Sequence, residues 1–246
     1  MYTIIDNIRI ENINKVVIAH LNINSLRNKF DMLADIVMEK IDILCISETK
    51  LDDSFPSSNF IIKGFSPPYR RDRKNCGSCG GGIIIFVRSD IPSKLLTSFE
   101  VTDDNECIFV EINLHKTKWL IGNFYNPHKN LIRNRITFLG KCMDHYLPKY
   151  DNLLLLGDFN SEMSEPIMEA FCGNYNLKNL VNENTCFKNP ENPSCIDLML
   201  TNRYRKFHNT LVVETGLSDF HKMTITVLKK FYEKKKPKII SYRDYI

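Results

Sequence analysis

The sequence predicts an α/β domain whose sheets are covered on both faces, and three observations carry that prediction. Several candidate strands are apolar at every position rather than at every second one, the pattern of strands buried on both sides. Stretches with the 3.6-residue period of an amphipathic helix stand among those strands instead of being segregated from them. The composition, 43% hydrophobic and 25% charged over 246 residues, is that of a folded globular chain.

The elements follow in order. KVVIAHLNI (15–23) is β-branched and apolar, the first strand. Ser25 stands where an N-cap belongs, and Leu26, Phe30, Leu33 and Val37 follow at helical spacing. IDILCISET (41–49) is the next strand, and GGIIIFVRS (81–89) is another, launched from a glycine run. ECIFVEINL (106–114) and KWLIGNFYN (118–126) read as a hairpin joined at His115, Lys116 and Thr117, with Trp119 in the core. Ile132, Ile136, Leu139, Met143 and Leu147 mark a second helix, stopped by Pro148. LLLLGDF follows, then a helix near 164–173, the strand CIDLMLT (195–201) and a last strand MTITVLK (223–229). No period of a repeat protein is present.

Length allows one large domain or two small ones. No apolar run approaches the roughly 18 residues that span a bilayer, and MYTIIDNIRIENINK lacks the layout of a secretory signal. Membrane partners are therefore not expected. The eight cysteines are scattered, with Cys45, Cys107 and Cys142 inside apolar runs, which points to a reducing intracellular compartment. Net charge is +4, but the segment from Lys229 onward carries six lysines and one arginine against Glu233 and Asp244. The rest of the chain is therefore nearly neutral. Two further basic clusters, Arg70-Arg71-Asp72-Arg73-Lys74 and Arg203-Tyr204-Arg205-Lys206, suit either phosphate contact or plain solvation.

Polar residues recur at the strand ends. Asn22 and Asn24 close the first strand, Glu48 the second, Tyr125 and Asn126 the hairpin, and Asp158 and Asn160 the leucine strand. Asp197 comes early in its strand, and Ser218-Asp219-Phe220-His221 precedes the last one. Converging strand ends would gather carboxylates, amides, a phenol and an imidazole in one pocket. Clustered carboxylates repel unless a cation neutralises them, and Glu, Asp and Asn oxygens are hard ligands that suit Mg²⁺. The same set suits metal-assisted phosphodiester hydrolysis better than acyl transfer, because no Ser or Cys stands in a nucleophile elbow.

With those residues assembled, the chain resembles the exonuclease–endonuclease–phosphatase superfamily, and within it the apurinic-type endonuclease domain of non-LTR (LINE-like) retrotransposons. LNINSLRNK (21–29), ISETKL (46–51), GNFYNP (122–127), LLGDFN (155–160), SCIDLMLTN (194–202) and LSDFHKMTI (217–225) carry the resemblance, in that order. It implies a four-layer α/β sandwich, two packed mixed β-sheets flanked by helices, over residues 15–230. Residues 1–14 are an N-terminal extension on this view, and 231–246, ending near SYRDY, a basic linker towards a reverse transcriptase. Carried over by position, Glu48 is the principal Mg²⁺ ligand, with Mn²⁺ as an alternative ion. Asn22 and Asn24 lie beside it, and Asp219 is a further ligand or an acid behind one. Asp158 orients and activates the water, Asn160 fixes Asp158 and the phosphate, and Tyr125 donates to the scissile phosphate. Asp197 holds His221, which stabilises the phosphorane.

The activity so implied nicks double-stranded DNA in the nucleus, leaving a 3′-hydroxyl that primes reverse transcription and a 5′-phosphate. Arg70, Arg71, Arg73, Arg203 and Arg205 become phosphate contacts, and Thr185 and Ser194 flank a loop that lies near DNA in relatives. Two departures stand out. Asn24 replaces the Asp of repair enzymes. Phe220 separates Asp219 from His221, so that either a bulge restores the geometry or one of the pair has lost its role. An abasic-site repair endonuclease, a phosphatase, or a decayed DNA-binding domain are the competing readings. CGSCGGG (76–82) lacks a second ligand pair for zinc and the Lys-Ser/Thr of a phosphate loop, and is expected to be a turn. His20, His115, His128, His145 and His208 are expected to be surface or packing residues.

Overall fold

The structure is a computed structural model that describes residues 3–73, 80–99, 105–114 and 116–231. Four α-helices lie among the described residues: α1 (Ile4–Glu11), α2 (Phe30–Val37), α3 (Ile132–Tyr146) and α4 (Pro166–Asn174). The strands are β1 (Lys15–Asn22), β2 (Ile43–Ser47), β3 (Tyr69–Arg71), β4 (Ile83–Val87), β5 (Ser93–Leu95) and β6 (Glu106–Leu114). They continue with β7 (Thr117–Tyr125), β8 (Leu153–Asp158), β9 (Lys178–Asn179), β10 (Asp197–Thr201), β11 (Phe207–Val213) and β12 (Met223–Phe231). Two six-stranded sheets result, ordered β11-β12-β1-β2-β4-β3 and β5-β6-β7-β8-β10-β9. Both are mixed: β1 and β2 run parallel, as do β7 and β8, among otherwise antiparallel neighbours. The expected four-layer sandwich is therefore the fold.

The leucine strand shows why it holds. Side chains alternate between the faces of a strand. Leu154 and Leu156 enter the core between the sheets with Ile18, Ile43, Ile85 and Met199. Leu153 and Leu155 face the other way and pack with Leu139 and Met143 of α3 and Met168 of α4. Val17, Ala19 and Leu44 do the same for the first sheet, under Leu33 and Val37 of α2. Trp119 is buried between the sheets, and the hairpin forms as expected, with Glu106 opposite Tyr125.

One expectation about local structure needs correction. Ser25 does not cap a helix; its φ is +86° and α2 begins only at Phe30, after Lys29. The intervening backbone is committed elsewhere, because the N–H groups of Ile23, Ser25 and Leu26 donate to the carbonyls of Ser47, Glu48 and Thr49. The stretch 1–14 contains α1, capped reciprocally by Thr3 and Asp6, whose Ile5 and Ile8 join the core. Arg9 of α1 donates to Asp42 at 2.6 Å, and the buried Asp42 also accepts from Arg88 and from the Val17 N–H. β3, β5 and β9 are too short for a periodicity, and β11 is a half-exposed edge strand. The tail beyond 231, Lys74, His115, and Cys76 and Cys79 lie outside the described residues.

Candidate active site

The register brings the strand ends to one edge of the sandwich. Asn22 pairs with Ser47 at the end of β1 and β2, Tyr125 with Asp158 at the end of β7 and β8, and Asp158 with Asp197 at the start of β10. Asn22 bridges the sheets, its Nδ2 donating to Glu48 Oε1 at 2.9 Å and to Asp158 Oδ2 at 2.8 Å. The Tyr125 hydroxyl donates to the same Glu48 oxygen at 2.8 Å. The Asn160 N–H donates to Asp158 Oδ1 at 2.8 Å, while its side chain donates to the Asn126 carbonyl at 2.8 Å. His221 Nδ1 lies 2.8 Å from Asp197 Oδ2.

Backbone conformation at this edge is unusual. Asn24, Glu48, Lys50 and Asn160 all have φ between +46° and +55°, the left-handed region that non-glycine residues enter at a cost of about 1 kcal/mol or more. Gly157 has φ +154°, and a Cβ there would stand 1.8 Å from the Phe124 carbonyl oxygen. Only glycine lets β8 approach β7 so closely before Asp158. The glycine run that sequence reads as a turn also has a task. The carbonyls of Gly81 and Gly82 accept from the N–H groups of Lys50 and Thr49, pinning the loop that presents Glu48.

The Phe220 spacer leaves both of its neighbours at this edge. Asp219 Oδ2 accepts from Asn24 Nδ2 at 2.8 Å, His221 meets Asp197, and the exposed Phe220 lies between them in sequence. The chain bends through residues 216–220 before β12 begins, which lets the residues on either side of the exposed phenyl ring both reach this edge.

Burial and charge set the protonation states. Burial pulls the His221 imidazole down, but the Asp197 carboxylate and its hydrogen bond hold it up at about 11. Burial alone would raise Asp197; the His221 charge and hydrogen bond outweigh it, and the carboxyl stays below the ordinary range. Burial, reinforced by Asp197, pushes Asp158 up to about 7 despite the hydrogen bonds from Asn22 and Asn160. Burial raises the Tyr125 phenol, and Glu48 adds to the effect, so Tyr125 stays a donor. His20, expected as a surface or packing residue, is fully buried behind Asp197. Its Nδ1 lies 3.7 Å from Asp197 Oδ1 and its Nε2 2.9 Å from Ser47 Oγ. Burial lowers it to about 4, which leaves it neutral.

The donors fit a hard divalent cation. Glu48, Asn22, Asn24 and Asp219 bring carboxylate and amide oxygens to the same edge, from the buried Asn22 through the half-buried Glu48 and Asn24 to the exposed Asp219. A cation already stands among them, since Lys50 Nζ donates to Asn24 Oδ1 at 2.5 Å and lies 4.0 Å from Glu48 Oε2. Oxygens of Asp158 and Asp197 and a His221 nitrogen also lie within 4.8 Å of one another. With a proton held on His221, that second group is already an ion-pair network. Lys50, Cys186 and His20 are the site residues that sequence reasoning did not single out. Lys50 was within reach, two residues after Glu48 in ISETKL.

The expected DNA contacts divide. Arg70 is not free to reach a phosphate: its guanidinium donates to Asp72, to the Asp52 carbonyl at 2.8 Å and to the Phe55 carbonyl, holding the 52–55 loop. Arg73 pairs with the buried Glu106 and lies over the Tyr125 ring at 5.7 Å, so it backs the site. Arg71 is half-buried in the edge strand β3. Thr185 is fully buried, and its Oγ1 accepts from the N–H groups of Ile196 and Asp197, fixing the start of β10. Ser194 lies beside Asn160 and Ile196 in the lining of a cavity of about 340 Å³. Arg203 and Arg205 are not brought to this edge. They follow β10 at its other end, where Arg203 donates to the Asp151 carbonyl at 2.8 Å ahead of β8.

The sequence profile of the Endonuclease/Exonuclease/phosphatase family matches residues 19–219. No curated protein matches the sequence. Among solved structures, an AP endonuclease from Leishmania major superposes with a TM-score of 0.69 at 12% identity, covering 88% of each chain. The endonuclease domain of TRAS1, a telomere-specific non-LTR retrotransposon, superposes at 0.67 with 14% identity, covering 88% of this chain and all of its own. A mannosyl-6-phosphatase from Bacteroides thetaiotaomicron superposes at 0.64 with 15% identity, covering 87% of this chain and 99% of its own.

Proposed function

The chain belongs to the endonuclease/exonuclease/phosphatase family, and within it we propose that it is a Mg²⁺-dependent DNA endonuclease of the retrotransposon type. Members of the family are metal-dependent hydrolases of phosphodiester or phosphate bonds, and this chain is such a hydrolase. The observation that carries the finer reading is the Asn22 bridge, which ties Glu48 to Asp158. A cation-binding carboxylate and a water-activating one are thereby fixed on either side of one phosphate position.

The residues then divide the work. Asp158, held by Asn22 and Asn160, draws the proton from the attacking water. His221, kept protonated by Asp197, donates to the charge that gathers on the phosphoryl oxygens, and Asn160 donates beside it. Tyr125, whose single hydroxyl proton goes to Glu48 in the free site, turns it to the scissile phosphate when substrate binds. Glu48, with Asn22, Asn24 and Asp219 beside it, would hold a Mg²⁺ ion, which would supply Lewis-acid polarisation of the phosphoryl oxygen and charge stabilisation at the departing 3′-oxygen. The products are a 3′-hydroxyl and a 5′-phosphate.

Double-stranded DNA is the substrate on three grounds. Lys29, Lys50 and Lys222 stand on the loops that carry Asn24, Glu48 and His221, and phosphate contacts need no base specificity. The retrotransposon endonuclease domain is matched over its whole length. The tail resembles the linker to a reverse transcriptase, and nicking to prime reverse transcription places the protein in the nucleus.

The test is nicking of supercoiled plasmid with Mg²⁺, with EDTA, and by Asp158→Ala. Open circles whose ends a polymerase extends, lost in the last two conditions, are the expected result. Cleavage of an abasic duplex but not of plain plasmid would make it a repair enzyme. Release of phosphate from small esters alone would make it a phosphatase, and no reaction on any of them a decayed domain.

A further inference from the structure

The cluster around Arg203 and Arg205 stands at the pole of the sandwich opposite Asp158, and other cations join it there. Thr201, the last residue of β10, pairs with Lys178 of β9, and the turn that follows carries Arg203, Tyr204, Arg205 and Lys206. Phe207 and His208 lead on into β11, opposite Leu228 and Val227 of β12. Lys15, which opens β1, brings its Nζ to 3.3 Å from His208 Nε2, and Lys229 follows Leu228. Six cations thus share one rim, and Asp151 is the one acid on the turns 147–152 and 202–206 that border it. Among the described residues, Lys15, Lys178, Arg203, Arg205 and Lys229 form no ion pair with a carboxylate.

Like charges gathered in this way repel, whereas a surface built only for solubility intersperses cations with acids. The neighbouring groups respond to the excess. Arg205, through its hydrogen bond and charge, and Lys178, through its charge, hold the Tyr204 phenol below its ordinary value. Burial, reinforced by Lys15 and Lys229, holds the His208 imidazole down despite the hydrogen bond with Asn209. A rim of this kind calls for a polyanion.

Tyr204 decides which polyanion. Its ring is 39% exposed, with Lys178 Nζ 4.3 Å and the Arg205 guanidinium carbon 5.6 Å from its centroid. An exposed cation–π contact is weaker than a nucleobase stacked on an aromatic ring, so a base displaces the cation and leaves it for the adjoining phosphate. A duplex keeps its base faces stacked inside and has no use for the ring, but a single strand offers a face and a phosphate at each nucleotide. The six residues of β8 separate this pole from Asp158, about 20 Å at 3.3 Å per residue, so the rim is not an extension of the active edge.

We infer that the rim formed by Lys15, Lys178, Arg203, Tyr204, Arg205 and Lys229 binds a single-stranded polynucleotide, the cations taking its phosphates and Tyr204 one of its bases. Binding at this pole does not depend on the hydrolysis proposed above.

The experiment is fluorescence anisotropy of the full chain in EDTA, with labelled single-stranded DNA, RNA of the same sequence, and the DNA duplex. Tyr204→Ala is expected to weaken single-strand binding about tenfold, and Tyr204→Phe, which keeps the ring, to retain it. Lys178→Ala/Arg205→Ala should weaken it about tenfold at about 0.1 M salt. The same pair should flatten the slope of log affinity against log salt by about 1.4, two phosphates at about 0.7 each. Lys63→Ala/Lys141→Ala, which removes the same charge away from the pole, should change it less than about twofold, and the duplex should respond as little to the pole variants. Circular dichroism checks folding. Single-strand affinity that falls no further in the pole variants than in the Lys63/Lys141 pair overturns the inference. An equal loss of duplex affinity makes the rim a duplex contact and overturns it too. So does indifference to Tyr204→Ala with poly-glutamate competing as well as DNA of equal charge, the behaviour of a surface for an acidic protein. The strand held more tightly, RNA or DNA, names the source of the ligand.

Discussion

Replacing Asp197 by Asn keeps the size of the side chain and removes the charge that holds His221 protonated. In the native site the carboxylate lies 2.8 Å from Nδ1 and keeps the imidazole at about 11 against the pull of burial. In the proposed mechanism the protonated form is the donor to the phosphate, and the native site keeps it throughout neutral and moderately alkaline pH. In the variant, burial remains and the largest opposing charge is gone, with only the smaller support of Cys186 and Asp158 left, so the ring falls back towards its ordinary value near 6.5. At pH 8 a group of that pKa is about 3% protonated, which lowers nicking about thirtyfold, against about twofold at pH 6.5. The stability linkage has the same sign. His221 is raised above its unfolded value, so its contribution is complete below about 6.5 and is lost as pH rises through about 11. The assay is initial nicking rates from pH 6 to 9 at saturating Mg²⁺, with folding followed by circular dichroism. A variant profile as flat as the native one would refute the ion-pair argument.

Asp158, held up at about 7, must ionise before it can take a proton, so native nicking should rise with pH through about 7. Asp158→Asn should abolish nicking yet raise the melting temperature at pH 8, with the gain vanishing near pH 3, below the ordinary aspartate value of about 3.9, where the carboxyl is protonated in both states; thermal melts at the two pH values decide it. Gly157→Ala places a Cβ 1.8 Å from the Phe124 oxygen and forces β8 away from β7. Displacing Asp158 by about 1 Å costs about a hundredfold in rate, measured as nicking per folded molecule. Asp42→Ala strips the counter-charge from Arg9, and one of two carboxylates from Arg88, which keeps Asp90, in a buried network far from the site. Loss of about 3–5 kcal/mol in urea unfolding, with kcat on DNA unchanged, is expected.

The candidate site was legible because each member stands next to an apolar strand, and a strand has two ends. Once the strand order is that of a sandwich, Asn22, Glu48, Tyr125 and Asp158 must meet. The arginines were not legible for the converse reason. A charge run reports no partner, and Arg70 spends its guanidinium on the backbone of residues 52 and 55, while Arg203 anchors the far end of β8. Ser25 misled because its local signal for a helix start competes with three backbone hydrogen bonds to the Glu48 loop. Those bonds depend on a strand that is distant in sequence. His20 and Cys186 carry no motif; their roles arise only from what lies opposite them.

The leucines of LLLLGDF bear on the same question. Asp158 with its carboxyl near 7 costs on the order of 4 kcal/mol at neutral pH relative to an ordinary aspartate. Each fully buried leucine returns roughly 1.5–3 kcal/mol, so two of the four offset that charge. Because they alternate between the inter-sheet core and the helices, they also fix the strand from both faces. A strand anchored on one face could relieve Asp158 by tilting it into water, where it would ionise near pH 4 and be a weaker base. Double-sided burial denies that escape, and it is the reason a run of leucines can end in a base that titrates near neutral pH.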